Sequence, residues 1–270
     1  MVKIVLLGAI DIIISKYLVW IPFLLSLFSS GGFSQTRVIE DSLVYSDPTL
    51  SKGSGWIYGG SVDYWSVSMK YKPLNGIYTG NLQYDQPGVS LFVGKGNLTA
   101  LINYKDGSGN ITYPNDYSKV KTRQAQFSLR YLLDELSTTY FTPYVMASYW
   151  NYYMKSDSYY TNGNFYYTES TNASAPMIGG GVIIPFTNTF GVRLDDLWGV
   201  TNASGVSTNS NKYGNNGNIN MLTLVAYYNL TNNINFQFGY QTVQLKPSAN
   251  VNEVNRNIDG LFAKIGYTFK

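Results

Sequence analysis

Gly260-Leu261-Phe262-Ala263-Lys264-Ile265-Gly266-Tyr267-Thr268-Phe269 runs almost to the end of this 270-residue chain. Leu261, Ala263, Ile265, Tyr267 and Phe269 are apolar at every second position. Gly260, Phe262, Lys264, Gly266 and Thr268 lie between them. A period of two sends one set to each face of a β-strand. The run before it repeats the pattern, with Ile234, Phe236, Phe238 and Tyr240 set against Asn235, Gln237, Gly239 and Gln241. Between the two lies a polar loop, and Thr231-Asn232-Asn233 makes a tight turn ahead of both. An apolar face ending in aromatics, opposite amides, glycine and a lysine, suits a strand with lipid on one side and water or packed polar groups on the other.

The closing Ile265-Gly266-Tyr267-Thr268-Phe269 resembles the terminal signature of Gram-negative outer-membrane β-barrels; here Lys270 follows the final aromatic. The rest of the chain carries the same architecture. Short connections fall at Leu74-Asn75-Gly76, Gly94-Lys95-Gly96-Asn97, Asp134-Glu135-Leu136-Ser137, Phe186-Thr187-Asn188 and Thr231-Asn232-Asn233. Long polar connections fall near 106–120, 155–174, 199–217 and 246–257. Short periplasmic turns alternating with long external loops are the outer-membrane pattern. Eleven strands are legible: 55–71, 77–85, 88–94, 97–105, 121–133, 140–154, 175–186, 189–198, 218–230, 234–245 and 258–269. Bacterial single-chain barrels have even strand numbers, so residues 36–46 are assigned as a twelfth. The expected fold is therefore all-β, a transmembrane antiparallel barrel of about 12 strands, with 10 as the fallback.

Composition narrows the function. Charged residues are 13% of the chain and aromatics 16%, including 25 tyrosines. There is no cysteine and no histidine. Disulfides, thiolate metal sites and cysteine nucleophiles are excluded, as are imidazole ligands and the commonest general base. Enzymes of the resembled architecture generally depend on a histidine, so the expectation is no enzyme, no cofactor and no metal. No basic run interleaved with aromatics suggests nucleic acid. At the N-terminus, Lys16, the apolar run Tyr17 to Phe28 and the small residues Ser29 to Ser34 read as a signal peptide over 1–34, leaving 35–270 as the barrel.

Face and height assign the candidate residues. Lys105, Gln124, Gln126, Arg130, Arg193, Gln237, Gln241 and Lys264 are expected to face inward and line a pore, since a charge on the lipid face at mid-depth costs about 2–4 kcal/mol. Trp56, Trp150 and Trp198 are assigned to an external aromatic belt, and Tyr71, Phe141, Phe186, Phe190 and Phe269 to a periplasmic one. In strand 55–71 the parity of Trp56 and Tyr58 conflicts with that of Trp65, Val67 and Met69, and a bulge at Gly59-Gly60 would reconcile them. Gly179-Gly180-Gly181, inside a strand, marks a bend or a close approach to an inward side chain.

The resemblance implies a porin-like channel for passive diffusion of small polar solutes or ions, and the basic inward residues give it a weak anion preference. The alternative is a non-conducting barrel working through its external loops in binding or adhesion. There Tyr159, Tyr160, Phe165, Tyr166 and Tyr167 crowd one loop, around a hairpin turn at Asn162-Gly163. Expected partners are outer-membrane lipids and, during biogenesis, the barrel assembly machinery. The sequence sets no oligomeric state.

Overall fold

The computed structural model describes residues 55–71, 80–112, 116–138, 140–207, 212–247 and 256–269. Ten strands occupy them: β1 (Trp56–Tyr71), β2 (Gly80–Lys95), β3 (Leu98–Thr112), β4 (Asp116–Leu132), β5 (Thr142–Tyr160), β6 (Phe165–Pro185), β7 (Phe190–Ser207), β8 (Lys212–Asn229), β9 (Ile234–Pro247) and β10 (Arg256–Phe269). Each pairs antiparallel with its sequence neighbours, and β1 pairs with β10 to close the ring. No helix among the described residues is long and apolar enough to cross a membrane; the barrel architecture crosses with strands.

The ring holds ten strands, not twelve, for two reasons. Residues 77–85 and 88–94 are not two strands around an Asp85-Gln86-Pro87-Gly88 loop. One strand, β2, runs through all four residues and stays in register with β1, Tyr64 opposite Pro87. Pro87 has no N–H to give, and the pairing with β3 lapses only at Gln86 and Pro87, resuming at Gly88 opposite Lys105. The parity argument thus started from one strand too many. The twelfth candidate, residues 36–46, and the leader lie outside the described residues; the wall itself closes from β1 to β10.

Register fixes the shape. Following paired residues round the ring from Tyr58 through Val93, Ala100, Leu129, Ala147, Ile178, Trp198, Asn220, Gln244 and Asn257 returns to β1 at Lys70, twelve residues further along. With ten strands, that stagger tilts them about 40° and gives a backbone radius of about 10 Å. A barrel this narrow can be filled by its own inward side chains.

The short turns at Gly96-Asn97, 133–141, 186–189 and 230–233 share the end where β10 finishes, the periplasmic end in this architecture. At the other end, the segments expected as long loops are largely strand. β5 and β6 run 19 and 21 residues, about twice the 9–11 needed to cross a bilayer. Beyond the lipid both faces of a hairpin meet water, so the apolar–polar alternation fades while the ladder continues.

Candidate functional site

Inward residues sort into two layers. Toward the external end the lumen is filled by Trp65, Met69, Leu82, Trp150, Tyr152, Met154, Leu197, Met221 and Ile258, all essentially fully buried. Trp150 and Tyr152, two apart on β5, stack at 5.5 Å. Inward glycines make room for these rings. A methyl group at Gly260 would lie 2.5 Å from Trp65 Nε1, and one at Gly239 would lie 2.5 Å from the Phe262 ring. The inward face of β9 and β10 therefore holds glycine to accept neighbouring rings, not to widen a pore. Gly181 does the same for Tyr144, which is the close approach expected for the triple glycine.

This packing corrects three assignments. β1 carries no bulge, because its register with both neighbours is continuous through Gly59-Gly60. Trp65, Val67 and Met69 simply point inward, while Tyr58, Val62 and Tyr64 face out. Trp150 is not a belt residue; it is wholly buried in the lumen. Trp56 faces outward as expected but sits opposite Lys95, beside the short Gly96 turn, at the periplasmic end. Merging the β2 fragments reversed the direction of β1 relative to the twelve-strand reading.

The remaining belt residues face outward. Trp198, Phe141, Phe186, Phe190 and Phe269 are exposed, with Phe186 stacked on Phe190 and Tyr58 on Phe269. Tyr71, assigned to the periplasmic belt, instead ends β1 at its external end opposite Gly80; its side chain lies outside the described residues. The external belt that the sequence reading missed is Tyr64, Tyr104, Tyr149 and Tyr240, joined by Trp198. Immediately beyond it the outer surface turns polar, with Ser66, Asp85, Asn151, and Asp106 bridged at 3.2 Å to Arg123. That change marks the external water boundary.

Below the rings, toward the periplasmic end, the lumen is polar and charged. The Asp63 carboxylate accepts hydrogen bonds from Ser61 Oγ (2.8 Å), Ser90 Oγ (2.7 Å), Asn103 Nδ2 (2.7 Å) and Lys264 Nζ (3.1 Å). Asp63 and Lys264 are directly opposed across the β1–β10 seam, so this network ties the closing pair to β2 and β3. A second cluster holds Asp195, which accepts from Arg193 Nε (3.2 Å) and from the Tyr144 hydroxyl. The Arg130 guanidinium lies 4.7 Å over the Tyr144 ring. Asp195 and Asp196 face opposite sides as adjacent strand residues must. Asp195 is buried beside Arg193.

All eight inward candidates do point into the barrel. Lys105, Gln124, Arg130, Arg193, Gln237 and Gln241 are buried, and Gln126 and Lys264 are half-buried. Several are engaged by neighbours: Gln126 Nε2 donates to Ser148, Gln237 Nε2 to Asn235 and Gln241 Nε2 to Thr223. All eight except Gln124 line a cavity of about 120 Å³. Asp63, Tyr144 and the lumen rings were not singled out from the sequence. A lone inward acid on a strand whose parity was misjudged gave no signal.

At the external end β5 and β6 form the expected hairpin. Gly163 takes φ +86°, Tyr160 N–H donates to Asn164 O at 2.9 Å, and Gly163 N–H donates to Tyr160 O at 2.8 Å. Tyr159 stacks on Tyr117 at 5.1 Å and meets Phe165 edge-on at 5.7 Å; Tyr160 stacks on Tyr166 at 4.4 Å. Tyr167 is half-buried in the same hairpin. Beneath these rings, and above the external belt, burial works against the Asp157 charge. Hydrogen bonds from Thr168 Oγ1 (2.5 Å) and Lys155 Nζ (3.1 Å) outweigh it and hold the carboxyl below its ordinary pKa. The hairpin is thus a braced platform of exposed rings.

No protein-family model and no curated protein matches the chain. Solved structures do. The translocator domain of the autotransporter NalP from Neisseria meningitidis aligns over 84% of this chain and 92% of its own, with 11% identity and a TM-score of 0.51. The outer membrane protease OmpT from Escherichia coli (82% and 99%, 12% identity, TM-score 0.46) and the β domain of the Bordetella autotransporter BrkA (79% and 99%, 14%, 0.47) are more distant in shape. At such identities the likeness concerns fold alone. The fold is that of Gram-negative outer-membrane β-barrels.

Proposed function

We propose that this chain is an outer-membrane barrel without a conducting pore, acting through the external β5–β6 hairpin as a recognition surface. The observation that carries this reading is the packing of the external half of the lumen: among the described residues Trp65, Trp150 and Tyr152, with the methionines around them, are buried there, which supports a closed barrel. A porin-like channel, which the inward polar face suggests, would need those rings to move aside. No enzymatic role is proposed, because the chain offers no histidine or cysteine to do the chemistry.

The hairpin chemistry suits carbohydrate. Flat exposed rings of Tyr160, Phe165 and Tyr166 can stack on the C–H faces of sugars, and the flanking Asn162 and Asn164 can hydrogen-bond hydroxyls. Vesicles bearing the folded protein are expected to bind immobilised complex glycans. Tyr160→Ser with Tyr166→Ser should lower that binding at least tenfold without changing the folded fraction. Equal binding by the native and doubly substituted proteins would remove the hairpin from the account.

A further inference from the structure

We infer that the lumen cavity is a binding site for one small oxyanion of the phosphate or sulfate class, held by Lys105 and Lys264. The argument starts from charge. In the periplasmic half of the lumen and at the foot of the ring layer, the inward charged residues are four cations, Lys105, Arg130, Arg193 and Lys264, and two carboxylates, Asp63 and Asp195. Arg193 is bridged to Asp195 at 3.2 Å and Lys264 to Asp63 at 3.1 Å. Counted over the described residues, these six groups carry a net charge of +2, however they are paired. Removing charge from water is costly unless it is paired, and arginine cannot shed its proton.

Lys105 shows where the imbalance lies. It is 3% exposed and borders the cavity. Its ammonium has no hydrogen-bond acceptor among the described residues. It sits instead 4.2 Å over the Trp65 ring and 5.9 Å from Phe262. The Lys264 ammonium lies 5.5 Å from that same Phe262 ring. Two ammonium groups therefore face one small cavity from β3 and β10, and the aromatic faces soften their repulsion without cancelling it. Gly88 leaves room for the Lys105 stem, which a methyl there would meet at 2.7 Å.

The surroundings favour an oxyanion over a halide. Gln126 and Gln237 line the cavity, and each Nε2 gives one N–H to a protein neighbour and keeps a second for a ligand, whereas Asn103 Nδ2 spends both on Asp63 and Ser90. Several donors of different geometry suit a ligand with several acceptor oxygens. About 120 Å³ is room enough for a tetrahedral anion.

The test uses the full folded chain in detergent with inorganic sulfate as the probe, at constant ionic strength made up with chloride. Equilibrium dialysis with labelled sulfate is expected to show one sulfate per barrel. The unfolding midpoint should rise with the logarithm of sulfate concentration, as site-specific stabilisation requires. Sulfate also stabilises proteins generally by exclusion from their surface, so Lys105→Met is the control. It deletes the unpaired charge at similar volume, and should fold as well as the native chain in chloride. It should retain the general salt effect, lose the bound sulfate and lose the additional shift. No sulfate bound to the native barrel, or equal binding and equal shifts in Lys105→Met, overturns the inference. Should Lys105→Met not fold, dialysis of the native barrel after refolding with sulfate decides it alone: one retained anion supports the site, and none overturns it.

Discussion

Replacing Asp63 by alanine is expected to destabilise the barrel by about 3–5 kcal/mol, the cost of leaving a buried cation without its partner. Asp63 is the acceptor for four donors from β1, β2, β3 and β10. Its removal leaves Lys264 Nζ and Asn103 Nδ2 with the Ser90 oxygen as their shared acceptor and strips the Ser61 and Ser90 hydroxyls of theirs, in a lumen too tight to hydrate them all. The damage falls on the seam that closes the ring, so the folded fraction should collapse without a partly folded plateau. Urea titration in lipid vesicles, read by gel mobility, measures it. Removing both charges in Asp63→Ala with Lys264→Met should recover a large part of the loss, because no orphaned charge remains. A single-variant cost below about 1 kcal/mol would mean that the pair is solvated like a surface salt bridge and does not hold the seam.

The second large effect concerns the ring layer. Trp65→Ala together with Trp150→Ala removes two wholly buried indoles from the external half of the lumen. Each truncation in a packed core costs about 3–5 kcal/mol. The two indole N–H groups have no acceptor among the described residues, so part of that cost is offset by removing unsatisfied donors. The more telling result is a leak. Opening the layer joins the charged cavity to the outside, and vesicles carrying the double variant are expected to swell in small sugars several times faster than those with the native protein. Equal swelling rates in a folded double variant would place the barrier elsewhere.

Much of this architecture was legible from the sequence because lipid imposes alternation. In β4, Phe127, Leu129 and Tyr131 face out while Gln124, Ser128 and Arg130 face in, as the period of two required. In β9 and β10 the same reading holds residue by residue. It failed where the lumen is apolar too. On β1, Trp65, Val67 and Met69 face in and Val62 and Tyr64 face out, so hydrophobicity no longer distinguishes the faces. On β5, Trp150 looked like a belt residue for the same reason. The missing cue was present in the glycines: Gly239 and Gly260 stand beside Phe262 and Trp65 and leave room for those inward rings. Asp85-Gln86-Pro87-Gly88 has the composition of a turn, and pairing with β1 at all four residues, joined by β3 at Asp85 and Gly88, keeps it in a strand. Above the membrane, nothing in a polar sequence separates a loop from a two-faced hairpin, which is why β5 and β6 ran longer than their periodicity.

The most direct measurement is the conductance of the folded protein with its native sequence, inserted in planar bilayers with a salt gradient. A folded barrel, verified by its heat-modifiable gel mobility, is predicted to show no discrete current steps. Stable steps with an anion-leaning reversal potential, shifted by Arg130→Ala or Arg193→Ala, would contradict the closed lumen and make the protein a channel lined by those residues.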